Sequence, residues 1–136
     1  MKRSIKLALV GAGYWGKNLA RNFDELGVLH SVCDPSEEVR AEQRKRNPDL
    51  IVTESFSDLL AQPEISAVAI ATPAVMHFSM ARDALLAGKH VFVEKPLALS
   101  VEEGETLVRI AHEKNRVLFV GHILHYHPAI RALKNL

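Results

Sequence analysis

The stretch IKLALVGAGYWG, residues 5–16, decides the fold. Ile5, Leu7, Ala8, Leu9 and Val10 form a nearly continuous apolar run, the pattern of a strand covered on both faces in a parallel sheet. Directly after it, Gly11-Ala12-Gly13-Tyr14-Trp15-Gly16 matches GxGxxG. Three glycines in six residues are a weak signal alone. Here they follow a strand and open a helix, and Asp34 ends the next strand eighteen residues after Gly16. In that context Gly11 permits a tight turn, Gly13 lets the backbone approach a pyrophosphate, and Gly16 allows close helix–strand packing. The anion would rest on the amides and positive dipole end of the first helix.

Outward from this junction, Trp15, Leu19, Phe23 and Leu26 recur at helical spacing, which predicts a stripe facing a sheet and a stop at Gly27. Residues 28–33 read as a second strand, closed by Asp34-Pro35-Ser36 with Ser36 as a helix N-cap. Residues 37–47 are mostly polar, so a helix there would be solvated over most of its surface. Strand candidates follow at 50–53, 66–71, 90–93 and 117–120. Ser55 with Asp58, and Ser100 with Glu103, are capping pairs that open helices, and 75–87 is a helix stopped by Gly88. Asn115 suits a left-handed cap, and Pro128 starts a last helix. The alternation predicts an α/β fold, a doubly wound, mostly parallel sheet of about six strands with helices on both faces. Residues 1–136 form one domain on this reading, all of it used by the doubly wound unit.

Composition sets the class. The chain has 136 residues, 48% of them in the set AVILMFWYC and 24% charged, as in ordinary globular domains. Seventeen Lys and Arg against sixteen Asp and Glu leave a formal charge of +1, which argues against a nucleic-acid partner. The start Met1-Lys2-Arg3-Ser4 is basic, but the apolar run behind it is too short to span a membrane. The single cysteine, Cys33, excludes an internal disulfide, so a soluble cytoplasmic protein is expected. Buried beside Asp34, Cys33 reads as a small hydrophobe and not a nucleophile.

Asp34 can accept from both adenosine ribose hydroxyls and would repel a 2′-phosphate, so NAD is preferred over NADP. Arg40 or Arg44 could weaken that exclusion. Thr72-Pro73 and Glu94-Lys95-Pro96 both follow apolar strands and so emerge at the carboxyl edge of the sheet with the glycines. A lysine held between a strand and a proline presents a positioned ammonium, able to donate to a substrate oxygen. His122, His125 and His127 have spacings that match no metal motif, and no metal is expected.

These residues together resemble the Gfo/Idh/MocA family of sugar and cyclitol oxidoreductases. The resemblance runs from Ile5 through the glycine motif, Asp34, Ala71-Thr72-Pro73 with His77, and Glu94-Lys95-Pro96 to Val120-Gly121-His122. It implies that Gly11, Gly13, Tyr14, Trp15, Gly16, Asp34, Thr72, Pro73, His77, Glu94, Lys95 and Pro96 bind the cofactor. It also implies that Lys95 is catalytic, orienting cofactor and reacting hydroxyl, and that a cis peptide precedes Pro96. Residues 121–129 look most like the branch acting on nucleotide-activated acetamido sugars or their uronates. Family members often carry Gly at the position of Asn115 and Arg near His125. They also have a second, substrate domain with a histidine base, so the chain is expected to be the cofactor half of a longer enzyme, inactive alone. Self-association through surface that such a domain would cover is a further expectation. The alternative is a non-catalytic dinucleotide-binding or sensing module. A methyltransferase using S-adenosylmethionine also has a glycine-rich loop and an acidic residue, but leaves Glu94-Lys95-Pro96 unexplained.

Overall fold

The protein is described by a computed structural model covering residues 5–136, and the basic start at 1–4 lies outside the described residues. Strands and helices alternate as β1 (Leu7–Val10), α1 (Gly16–Glu25), β2 (Leu29–Cys33), α2 (Glu37–Arg46), β3 (Ile51–Thr53) and α3 (Phe56–Ala61). They continue as β4 (Ala67–Ile70), α4 (His77–Leu86), β5 (His90–Val93), α5 (Val101–Glu113), β6 (Leu118–Val120) and α6 (Pro128–Lys134). Short 3₁₀ turns at Ala74–Met76 and Ile123–Tyr126 lead into α4 and towards α6. The sheet order is β3-β2-β1-β4-β5-β6, and every neighbouring pair is parallel. The chain winds outward from β1, returns to β4 and winds the other way, which opens a crevice at the carboxyl ends of β1 and β4.

Strand side chains alternate between two cores. Ala8, Val10, Val68, Ile70, Val91 and Val93 pack with Leu59, Leu85 and Leu107 from α3, α4 and α5. Leu7, Leu9, Val32 and Ala69 pack on the other face with Ala20 of α1 and partly buried Leu19, Phe23 and Val39. All four residues of β1 are buried, as its unbroken apolar run requires. Each large aliphatic side chain buried this way contributes roughly 1.5–3 kcal/mol.

The caps follow the sequence. Ser36, Ser55 and Ser100 accept from the amides of Val39, Asp58 and Glu103, and Asn115 has φ of 52°. One expectation needs correction. Of the α1 stripe, Leu19 and Phe23 are half-buried, but Trp15 is 42% exposed and Leu26 72% exposed. The fully buried positions of the helix are Gly16 and Ala20, small enough to bring its axis close to β1, with Leu19 and Phe23 packed beside them. The polar segment after Ser36 is a full ten-residue helix. Glu37 and Glu38 in its first turn and Arg44, Lys45 and Arg46 in its last complement the helix dipole. No helix among the described residues is long and apolar enough to cross a membrane.

Candidate functional site: the crevice at the carboxyl edge of the sheet

The three glycines of the β1–α1 loop differ in what surrounds them. A Cβ on Gly11, where φ is +84°, would lie 2.7 Å from the Ala71 carbonyl oxygen at the end of β4. One on Gly16 would overlap the carbonyl oxygen of Gly11. Both positions are dictated by the fold. Around Gly13 nothing lies within 4 Å of the place a Cβ would occupy. No contact in the chain requires glycine there, and the open space beside it fits a group that comes close to the backbone. The amides of Gly13, Tyr14 and Trp15 have no hydrogen-bond partner among the described residues, so they remain free to donate to an anion.

Asp34 stands on the far side of this loop, 7% exposed. Its Oδ2 accepts from the Ala12 amide at 3.0 Å and its Oδ1 from the Ser36 amide at 2.9 Å. The carboxylate therefore ties the glycine loop to the end of β2, and each oxygen keeps a further lone pair for a hydroxyl donor. Arg40 and Arg44 are both engaged within the chain. Arg40 Nη1 donates to the carbonyls of Asp34 and Pro35 at 2.8 and 2.9 Å, and its other nitrogens face Glu37. Arg44 donates to Glu37 Oε1 at 2.8 Å. The Arg44 and Arg40 guanidiniums hold the Glu37 carboxyl below its ordinary range. Burial, and then the Asp34 carboxylate, push the neighbouring Cys33 thiol up to about 11, with Arg40 opposing.

Across the crevice, the ends of β4 and β5 form the second wall of a cleft of about 770 Å³. Tyr14, Trp15, Thr72, His77, Glu94 and Lys95 all border it. Thr72 turns its hydroxyl to Met80 Sδ at 3.6 Å, and Pro73 is exposed beside the wall. Lys95 is exposed, and no hydrogen bond or ion pair among the described residues engages its ammonium. The Lys95–Pro96 peptide is cis. His77, only 1% exposed, has Nδ1 at 2.7 Å from the Pro96 carbonyl oxygen and Nε2 at 2.8 Å from that of Thr72. Both partners are backbone carbonyl oxygens, so a ring N–H on either side has an acceptor to meet.

Three features escaped the linear reading. Trp15 Nε1–H donates to Glu94 Oε1 at 2.9 Å across 79 residues of sequence. Gly121 sits under the same carboxylate, where an added Cβ would come within 2.9 Å of Glu94 Oε1. Lys134 of α6 reaches the cleft rim, with Nζ 3.0 Å from His125 Nδ1. Neither spacing nor composition carries these contacts: the first two depend on the sheet order, and the third on how α6 folds back on the turn before it. His127 caps α6 through Nδ1, which accepts from the Ala129 amide at 3.2 Å.

Residues 5–122 match the model of an oxidoreductase family, GFO_IDH_MocA, with an NAD-binding Rossmann fold. UDP-N-acetylglucosamine 3-dehydrogenase of Acidithiobacillus ferrooxidans is 37% identical over 134 residues, covering 96% of this chain and 41% of that protein. Its solved structure superposes with a TM-score of 0.87. The WlbA dehydrogenase of Bordetella pertussis, solved with NADH and UDP-GlcNAcA, has a TM-score of 0.89 at 30% identity over 97% of this chain and 41% of its own. Biliverdin reductase of Synechocystis, solved with biliverdin and NADP+, has a TM-score of 0.88 at 33% identity over 97% of this chain and 42% of its own. The chain thus spans about two fifths of the length of these relatives. On the match to its glycine loop, sheet and carboxyl-edge crevice, this chain belongs to the Gfo/Idh/MocA oxidoreductase family and carries that family's NAD-binding Rossmann fold.

Proposed function

We propose that the chain is the NAD(H)-binding half of a longer, two-domain sugar or nucleotide-sugar oxidoreductase, in which a hydride passes from a sugar hydroxyl carbon to NAD. The observation that carries this is the contrast among the glycines: Gly11 and Gly16 are explained by their neighbours, Gly13 only by something outside the chain. The free amides of Gly13, Tyr14 and Trp15 at the start of α1 would hold the pyrophosphate. Asp34 would accept from the ribose hydroxyls and disfavour a 2′-phosphate, and Arg40 and Arg44 are already committed to Glu37 and backbone carbonyls. Thr72, Pro73, His77, Glu94 and Pro96 would shape the far wall.

The bound nicotinamide supplies the hydride acceptor. Lys95 donates from its ammonium to the reacting hydroxyl oxygen and stabilises negative charge that develops there as the proton leaves. The base that takes the proton belongs to the rest of the longer protein. Hydride transfer needs both halves to hold the reacting atoms in near-attack geometry, so the 136-residue chain is expected to bind NAD with little turnover. Two of the relatives named above, one a UDP-N-acetylglucosamine 3-dehydrogenase and one solved with UDP-GlcNAcA, favour a nucleotide sugar as substrate. Exposed Phe119 and Tyr126 beside β6 favour self-association of the isolated chain, which light scattering over a concentration series checks.

The test is calorimetric titration of the folded chain with NAD, NADP and S-adenosylmethionine. Heat from NAD, with weaker heat from NADP, is expected. Heat from the adenosyl compound alone would overturn the dehydrogenase reading.

A further inference from the structure

We propose that His77 is the positioning residue for Lys95, a cross-link that sets the ammonium's place by tying the β5–α5 loop to the end of β4. The inference rests on the reading of Lys95 as the cofactor- and substrate-facing group. It starts from how the loop is held. Upstream, the Glu94 amide donates to the Ile70 carbonyl at 2.9 Å, and downstream the Leu99 amide donates to Glu103 Oε2 at 3.1 Å. Between them, the one hydrogen bond among the described residues that fixes the backbone of residues 95–98 is the bond from His77 to the Pro96 carbonyl. Leu97 adds apolar packing against the core. Packing sets the depth of such a loop but resists rotation and sliding poorly, whereas a directed bond fixes both.

The ring is suited to this role. It lies at the start of α4, fully buried, so its own position is set by the core. Its second nitrogen faces Thr72, whose carbonyl belongs to the end of the neighbouring strand β4. One rigid imidazole thus bridges the carboxyl ends of two neighbouring strands, β4 and β5, and the spacing of Lys95 from Thr72 is set by the width of the ring. With both nitrogens turned to backbone, His77 has no donor left for a cofactor or substrate. Its effect on binding must therefore run through Lys95, which bears no bond of its own and depends on its backbone for placement.

A double-mutant cycle reads this directly. NADH affinity is measured for the chain and for His77→Ala, Lys95→Ala and the double variant, with His77→Gln as a milder change that keeps a donor. His77→Ala and Lys95→Ala are each expected to weaken binding by about ten-fold. The double variant should be no weaker than Lys95→Ala by more than about two-fold. Imidazole added to His77→Ala should restore affinity, and should restore nothing when Lys95 is also Ala. Effects that multiply would overturn the proposal while leaving the dinucleotide reading intact. A cofactor-free measurement keeps the two apart: the Lys95 backbone amide resonance should shift or broaden in His77→Ala and in His77→Gln, with β1 and β4 resonances unchanged. An unmoved Lys95 resonance in both variants would sink the cross-link. Failure of the unsubstituted chain to bind NADH, with Lys95 moving as expected, would instead sink the dinucleotide reading alone.

Discussion

The indole of Trp15 and the carboxylate of Glu94 meet at 2.9 Å, which joins the glycine loop to the end of β5 across the mouth of the cleft. Glu94 is 8% exposed, with Gly121 beneath it, so the indole N–H is a partner the buried carboxylate depends on. Trp15→Phe keeps an aromatic ring but removes that donor, and is expected to destabilise the chain by about 1–3 kcal/mol. Urea unfolding checks this, and an unchanged midpoint would show that Glu94 needs no partner.

The same residue provides an assay. Trp15 is the sole tryptophan of the chain and borders the cleft. NADH binding should quench its fluorescence by energy transfer, and sensitised emission from the reduced nicotinamide should rise. Saturable binding by calorimetry with no change in Trp15 emission would place the ligand elsewhere.

Gly13→Ala and Gly16→Ala should separate function from folding. At Gly13 an added methyl meets no atom of the chain, so stability should hold or rise by roughly 0.4–1 kcal/mol. NAD affinity should nonetheless fall about ten-fold or more. At Gly16 the methyl runs into the Gly11 carbonyl, and a loss of about 3 kcal/mol is expected before any ligand is added. Equal NAD affinity in Gly13→Ala and the parent chain would remove the pyrophosphate from this loop.

Asp34→Asn leaves one side-chain oxygen where two amides, those of Ala12 and Ser36, need acceptors. A stability loss of about 1–3 kcal/mol should accompany a weaker grip on NAD. With the charge gone, the gap between NAD and NADP should narrow. Paired titrations with the two coenzymes check this, and a gap that stays as wide would assign the discrimination to another residue.

Cys33 makes stability depend on alkaline pH. Burial pushes its folded thiol up to about 11, above the 9.0 of a free thiol. A raised folded value means that the unfolded chain releases the proton first as pH rises. The contribution is complete below about pH 9 and is lost between there and about 11. From pH 8 to 10 the chain should lose about 1 kcal/mol more than Cys33→Ala does, measured by urea unfolding at each pH. Parallel curves would show the thiol titrating normally.

Much of this was legible in the linear chain because its signals are local. The unbroken apolar run of β1, the serine caps of α2, α3 and α5, and the left-handed Asn115 each follow from a few neighbouring residues. The polar segment of α2 was the hardest to read, because its stability comes from end charges and a buried Arg40 and not from an apolar stripe. Trp15 was misplaced for a related reason. Its spacing suits the sheet-facing stripe, but that stripe runs through Gly16, Leu19, Ala20 and Phe23, while Trp15 stands just before the helix with its indole turned to Glu94.

By itself, then, the sequence determined the alternation of strands and helices, the glycine loop and the placement of Asp34 and Lys95 at strand ends, since hydrophobic period and turn chemistry act over short distances. Only the tertiary structure decided that Trp15 bonds Glu94, that Gly121 underlies that carboxylate and that His77 bridges Thr72 and Pro96. Those partners meet because β1, β4, β5 and β6 stand side by side in that order in the sheet, and strand order is set by the burial of two whole cores that no single stretch of residues encodes.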